Sequence, residues 1–199
     1  MKRTQHTPRM PRTIEALVIG ASAGGIGALL QVLPGLPDKP LYPVVVVLHL
    51  PSDSESKLAE VFGQHLPLPV LQAQDKAPLE AGHIYFAPPG YHLSIENERC
   101  FSLSQEDPVH FSRPAIDILM TSAADAYGAA LCGMLLTGAS SDGAAGIAAI
   151  GAAGGLTVVQ DPEEAEISTM PAAAIRLRAP DLILPLRDIR ALLANLETT

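Results

Sequence analysis

IEALVIGASAGGIGALLQVL, residues 14–33, packs an apolar strand, a glycine-rich turn and an apolar helix into twenty residues. Ala16 to Ile19 reads as the strand. Ile26, Leu29, Leu30 and Leu33 recur at i, i+3, i+4 and i+7, the spacing of one helix face. Between them lies GASAGG, with Ser22 at its centre. A strand-to-helix turn of this kind serves two chemistries. It cradles a phosphate on the N–H groups of a helix start, or it presents a nucleophile on a sharp bend.

The phosphate reading needs G-x-G-x-x-G and an acid closing the second strand to hold a ribose. The glycines fall at 20, 24, 25 and 27, and the second strand ends in Leu48-His49-Leu50. Neither condition is met. The nucleophile reading needs G-x-S-x-G, and Gly20-Ala21-Ser22-Ala23-Gly24 matches it letter for letter. Ser22 as a simple helix cap is the alternative at this point.

Working outward, apolar runs alternate with helix-period segments. Val44 to Leu48 is an unbroken β-branched run, typical of a strand covered on both faces. A helix is expected over 54–65, strands over 69–72 and 83–87, and a hairpin over His92 to Ser104 turning at Glu96–Glu98. Pro114 opens a helix with Ile116, Leu119, Met120, Ala123 and Tyr127 on one face. A strand over 130–136, a small-residue helix over 143–153, a strand over 156–159 and a helix over 170–177 follow. A strand over 182–184 and a helix over 188–196 end the pattern. The alternation predicts an α/β fold: a doubly wound, mostly parallel sheet with helices on both faces and a small β-hairpin.

Ligands of open α/β sheets bind at the carboxyl ends of the strands. Ser22 follows the first strand, His49 ends the second, and Asp142 follows the strand ALCGMLLTG. A serine needs a base to take its proton, and the base needs an orienting group. Those three residue types therefore form a candidate triad. His49 packed at a strand end and Asp142 capping the helix after it are the structural alternatives. The remaining histidines are less well placed, and none forms an i, i+4 helical pair of the kind that binds metal. The order Ser, His, Asp is not that of the usual α/β-hydrolase, which places its histidine last. Backbone N–H groups near Ala23 and Gly24 are the candidates for holding an oxyanion.

Composition narrows the function classes. Hydrophobic residues make up 48% and charged residues 17%, which excludes a disordered chain. The net charge is −8, and four of the 13 basic residues (Lys2, Arg3, Arg9, Arg12) lie in the first twelve positions. The remaining body carries nine basic residues against 21 acidic ones, a net −12. An acidic body argues against nucleic acid as a partner. No segment reads as a signal peptide or membrane span. Cys100 and Cys132 show no metal-type spacing and read as reduced thiols of a cytoplasmic protein. Residues 1–12 read as a flexible basic tail, and 13–199 as one domain with no cofactor.

VIGASAGG, VVVVLHLP, IYFAPPGYHL, RPAIDILMTSAA, LLTGASSDGAAG and VVQDPEEAEISTMPAAAI occur here in the order of the catalytic domain of the chemotaxis methylesterase, the CheB family. The resemblance covers about residues 14–197. It implies a serine hydrolase that removes methyl esters from glutamates on methyl-accepting chemoreceptor helices, and members of the family also deamidate glutamines. It places the family's nucleophile on Ser22, its base on His49 and its acid on Asp142. The family usually has threonine where Ala23 stands, a site-lining methionine where Ala139 stands, and an aromatic-glycine pair where Ser168-Thr169 precede Met170. Ala139 and Met170 are thus expected to line the substrate cleft. Typical members carry an N-terminal receiver domain, whereas twelve residues precede the domain here. Activity without phosphodonor, under control of a separate regulatory protein, is the resulting expectation. A small-ester or amide hydrolase with the same triad, and a catalytically idle docking module, are the competing functions.

Overall fold

A computed structural model describes residues 13–49 and 57–196. The expected basic tail over 1–12 and the start of the expected 54–65 helix lie outside the described residues.

Seven strands form one sheet: β1 (Ala16–Ala21), β2 (Val44–Leu48), β3 (Val70–Gln72), β4 (Ile84–Phe86), β7 (Leu131–Leu135), β8 (Leu156–Gln160) and β9 (Leu182–Leu184). Their order is β3-β4-β2-β1-β7-β8-β9, and every neighbouring pair is parallel. β5 (His92–Ile95) and β6 (Phe101–Ser104) make the antiparallel hairpin, closed by Arg99 N–H donating to Glu96 O at 2.8 Å. All residues of β1, β2 and β7 are buried, as expected of strands covered on both faces.

Alternate side chains of these strands feed two apolar cores. Leu17, Ile19, Val44 and Val46 face α1 (Gly25–Val32), α2 (Leu58–Gly63) and α6 (Leu186–Leu193). Val18, Val45 and Val47 face α3 (Ile116–Tyr127), α4 (Ala144–Ala152) and α5 (Thr169–Leu177). The core is mostly aliphatic, since the chain has no tryptophan, with Tyr42, Phe62, Phe86 and Phe101 its largest fully buried side chains.

The last helix begins at Leu186, two residues before the expected start. Pro185 in extended conformation fixes that start, and Glu164 Oε1 accepts the Leu186 N–H at 2.7 Å. One approach is tight enough to dictate residue type. A Cβ on Gly20 would lie 2.4 Å from Ile116 Cγ2, so glycine in β1 lets the start of α3 sit directly on the strand. That contact delivers α3's first N–H groups to the carboxyl ends of the strands. The chain passes from β1 to β2 on one side and returns to β7 on the other. The crevice at this switch point is where the fold builds a site.

Candidate active site

Ser22 leaves β1 with its N–H donating to Thr137 O at 2.9 Å. Its own carbonyl accepts the Gly25 N–H at 2.7 Å, which closes the turn. Gly24 sits at φ 77°, a left-handed conformation that favours glycine, and it is the residue that caps α1. The cap involves no side-chain hydrogen bond, so Ser22 is not spent on capping. Gly138, just past β7, is required for the same turn. A Cβ there would lie 2.6 Å from Met170 Cε and 2.9 Å from Ser22 Cβ.

His49 is the residue after β2, and its N–H donates to Ala21 O at 3.1 Å, holding it beside the serine turn. Its Nε2 lies 2.8 Å from Asp142 Oδ2. Asp142 is fully buried and does not cap its own helix, since Gly143 caps α4. It caps α3 instead: Oδ2 accepts the Ile116 N–H at 2.7 Å and Oδ1 the Asp117 N–H at 2.9 Å. Burial pushes the Asp142 carboxyl up, but the His49 hydrogen bond and the two N–H groups outweigh it and hold the carboxyl below its ordinary range. An ionised carboxylate only accepts, so Nε2 carries the imidazole proton and Nδ1 presents the lone pair.

The capping is reciprocal. Asp117, in the first turn of α3, accepts the N–H of Gly146 in α4 at 2.7 Å. Burial raises its carboxyl above the ordinary range; the Gly146 N–H and His110 oppose this, and the Asp142 charge adds to it. His110 Nε2 lies 3.4 Å from Asp117 Oδ2. His110, Asp117 and Asp142 thus bring three metal-type ligand atoms within 4.8 Å of one another. These atoms already serve as partners of N–H groups and of one another, and the cluster reads as a capping network.

Ser112 was not legible as a site residue. Its Oγ lies 3.4 Å from His49 Nδ1, on the lone pair that faces away from Asp142. It stands just ahead of the RPAIDILMTSAA block, and nothing in the spacing of the loop marks it. Thr137 was missed in the same way. Its hydroxyl donates to Ala23 O at 2.9 Å and accepts the Ile167 N–H at 2.9 Å, tying the serine turn to the 161–168 segment. Glu166 from that segment packs over Gly24, where an added Cβ would lie 2.8 Å from its Oε2. Ala23 and Ala139 are exposed at the lip of the crevice. Met170 is fully buried, its side chain packs on Gly138, and its N–H donates to Gly138 O at 2.9 Å.

Residues 17–193 match the family model of the CheB methylesterase. The chain belongs to the CheB methylesterase family. A methylesterase is a hydrolase, the class of chemistry to which the strand-end residues point. A protein of Leptospira interrogans is 43% identical over 183 residues, covering 92% of this chain and 95% of that one. Its name gives it, provisionally, the activities of a protein-glutamate methylesterase and protein-glutamine glutaminase. Longer proteins of Hahella chejuensis and Anaeromyxobacter dehalogenans, named for the same two activities, are 37% and 40% identical. The chain spans 52% and 57% of their lengths. The crystal structure of the Thermotoga maritima CheB methylesterase catalytic domain superimposes with a TM-score of 0.86 at 31% identity, covering 92% of this chain and 99% of that one. Among the described residues, no helix is long and apolar enough to cross a membrane.

Proposed function

We propose that this chain hydrolyses methyl esters of glutamate side chains on chemoreceptor helices, and deamidates glutamines presented in the same way, with Ser22, His49 and Asp142 as its triad. The observation that carries the reading is the 2.8 Å hydrogen bond from His49 Nε2 to a buried Asp142, beside the Ser22 turn. It orients one face of the imidazole and leaves the other to act as base.

Ser22 Oγ attacks the ester carbonyl carbon while its proton passes to His49 Nδ1. The carbon–methoxy bond then breaks, and methanol leaves with the proton from Nδ1. Water adds to the acyl-enzyme and gives a proton to Nδ1; the Ser22–acyl bond then breaks, Ser22 Oγ takes that proton back, and the glutamate is released. For a glutamine the leaving group is ammonia. In this reading the N–H groups of Ala23 and Gly24, at the start of α1, stabilise the oxyanion. Asp142 steadies the imidazolium that forms at each step. The exposed lip around Ala23 and Ala139 suits a substrate carried on a protein surface rather than a small molecule swallowed whole.

The test is methanol release from a methylated chemoreceptor preparation, wild type against Ser22→Ala. Release by wild type and none by the variant supports the reading. Hydrolysis confined to small esters would reassign the triad to another esterase function. Failure of Ser22 to label with a fluorophosphonate would make the chain a docking module. The reading includes a cytoplasmic location, with which two cysteines in thiol form are consistent.

A further inference from the structure

Val109 and Ser112 exchange both backbone hydrogen bonds, at 3.1 and 2.9 Å. The two residues between them, His110 and Phe111, sit at φ 49° and 62°. This is a two-residue hairpin turn with both central residues left-handed, a conformation that asparagine and glycine adopt easily. Phenylalanine adopts it against steric resistance, and a bulky residue at positive φ is an outlier that asks for a functional reason. Local packing supplies none for Phe111, whose relative exposure of 104% exceeds that of every other large hydrophobic residue among those described.

The neighbours of the ring are both committed inward. His110 Nε2 meets Asp117 Oδ2, and Ser112 Oγ meets His49 Nδ1. Arg113 anchors the following residue by donating to Gln105 O and Glu106 O at 3.0 Å each. The backbone that turns residues 110 and 112 toward the catalytic network therefore holds the ring of Phe111 outward, one residue from a side chain that touches the base.

We propose that Phe111 is a docking anchor for the protein substrate, its ring packing on an apolar side chain of the helix that carries the methyl ester. This rests on the function proposed above. A macromolecule that brings an ester to His49 must pass the 109–112 turn. The substrate helix is the occupant because the ring is continuous with the site that helix must reach. A fixed turn presents the ring without the ordering cost of a mobile loop.

The experiment compares wild type, Phe111→Ala and Phe111→Leu by two readouts. One is the steady-state kinetics of methanol release from a methylated chemoreceptor preparation. The other is the second-order rate of fluorophosphonate labelling at Ser22, which reports on the nucleophile alone. Losing a buried phenyl contact is worth about ten- to a hundredfold. Phe111→Ala should lower kcat/KM on the receptor by that factor, chiefly through KM, with the labelling rate within about twofold of wild type. Phe111→Leu should restore most of the loss. Because Phe111 is fully exposed among the described residues, failure to fold is not expected, and an unchanged labelling rate confirms it. Unchanged receptor kinetics in Phe111→Ala would overturn the proposal. So would equal losses in both readouts, or an altered sedimentation coefficient with normal receptor kinetics, which would assign the ring to self-association. Wild type that labels but releases no methanol from receptor would overturn the proposed function and the anchor with it.

Discussion

Asp142 does two jobs with one carboxylate: it orients His49 and caps α3 through the N–H groups of Ile116 and Asp117. Asp142→Asn should therefore fail in two measurements at once. An amide at this position donates as well as accepts, and it faces three donors. The wrong imidazole tautomer should cost about 10³–10⁴-fold in kcat. The mismatched cap should lower unfolding stability by about 1–3 kcal/mol, read from urea melts. Ser22→Ala and His49→Ala should each abolish most methanol release, and the double variant should be hardly worse, because residues that act as a unit are not additive. Additive losses would argue against a shared mechanism. Ser112→Ala removes only a hydroxyl that touches Nδ1. It should leave stability within about 0.5 kcal/mol while altering kcat and its dependence on pH. An unaltered pH profile would reduce Ser112 to loop packing.

At the scale of elements, α3 and α4 cap each other through Asp142 and Asp117, and glycine lets them lie close to the sheet. Gly20→Ala places a Cβ 2.4 Å from Ile116 Cγ2 and should destabilise by about 1–3 kcal/mol. Combined with Ile116→Ala, the two costs should be less than additive, because the second change vacates the space the first demands. Gly20→Ala should also lower activity, since it presses on the helix start whose N–H groups hold Asp142. The 109–112 turn makes the opposite prediction. Phe111→Gly replaces a left-handed phenylalanine by the residue suited to that φ, and thermal unfolding should show a gain of up to about 1 kcal/mol. That gain should accompany a loss of activity on receptor, the usual relation between strain and function.

For the whole molecule, the two buried aspartates set opposite limbs of stability against pH. Asp142 titrates lower in the folded state than in the unfolded one, where an aspartate lies near 3.9. Its contribution is present above that value and is lost as pH falls through the folded pKa. Asp117 titrates higher when folded, so its ionisation opposes folding, and stability rises as pH falls through its folded pKa toward about 3.9. Denaturant midpoints should therefore rise on mild acidification and fall below about pH 4. Asp117→Asn keeps an acceptor for Gly146 and should flatten the first limb alone. A midpoint that fell steadily from neutral pH would count against this assignment.

The sequence by itself determined the layers. Unbroken β-branched runs such as Val44–Leu48 read as strands covered on both faces, and spacings such as Ile116, Leu119, Met120 and Ala123 read as one buried helix face. Strand ends then placed Ser22, His49 and Asp142 on one edge of a parallel sheet. What the tertiary structure decided is who meets whom at that edge. Asp142 reads as a cap in sequence, but the helix it caps begins 26 residues earlier in the chain. His49 meets Asp142 across 93 positions and Ser112 across 63. Periodicity reports which side of an element is buried, and says nothing of which polar group it is buried against. Hydrogen bonds between distant loops depend on distances that exist only once strand order is fixed. The strained turn that exposes Phe111 was illegible for the same reason: no local preference favours it, and contacts from the assembled site hold it in place.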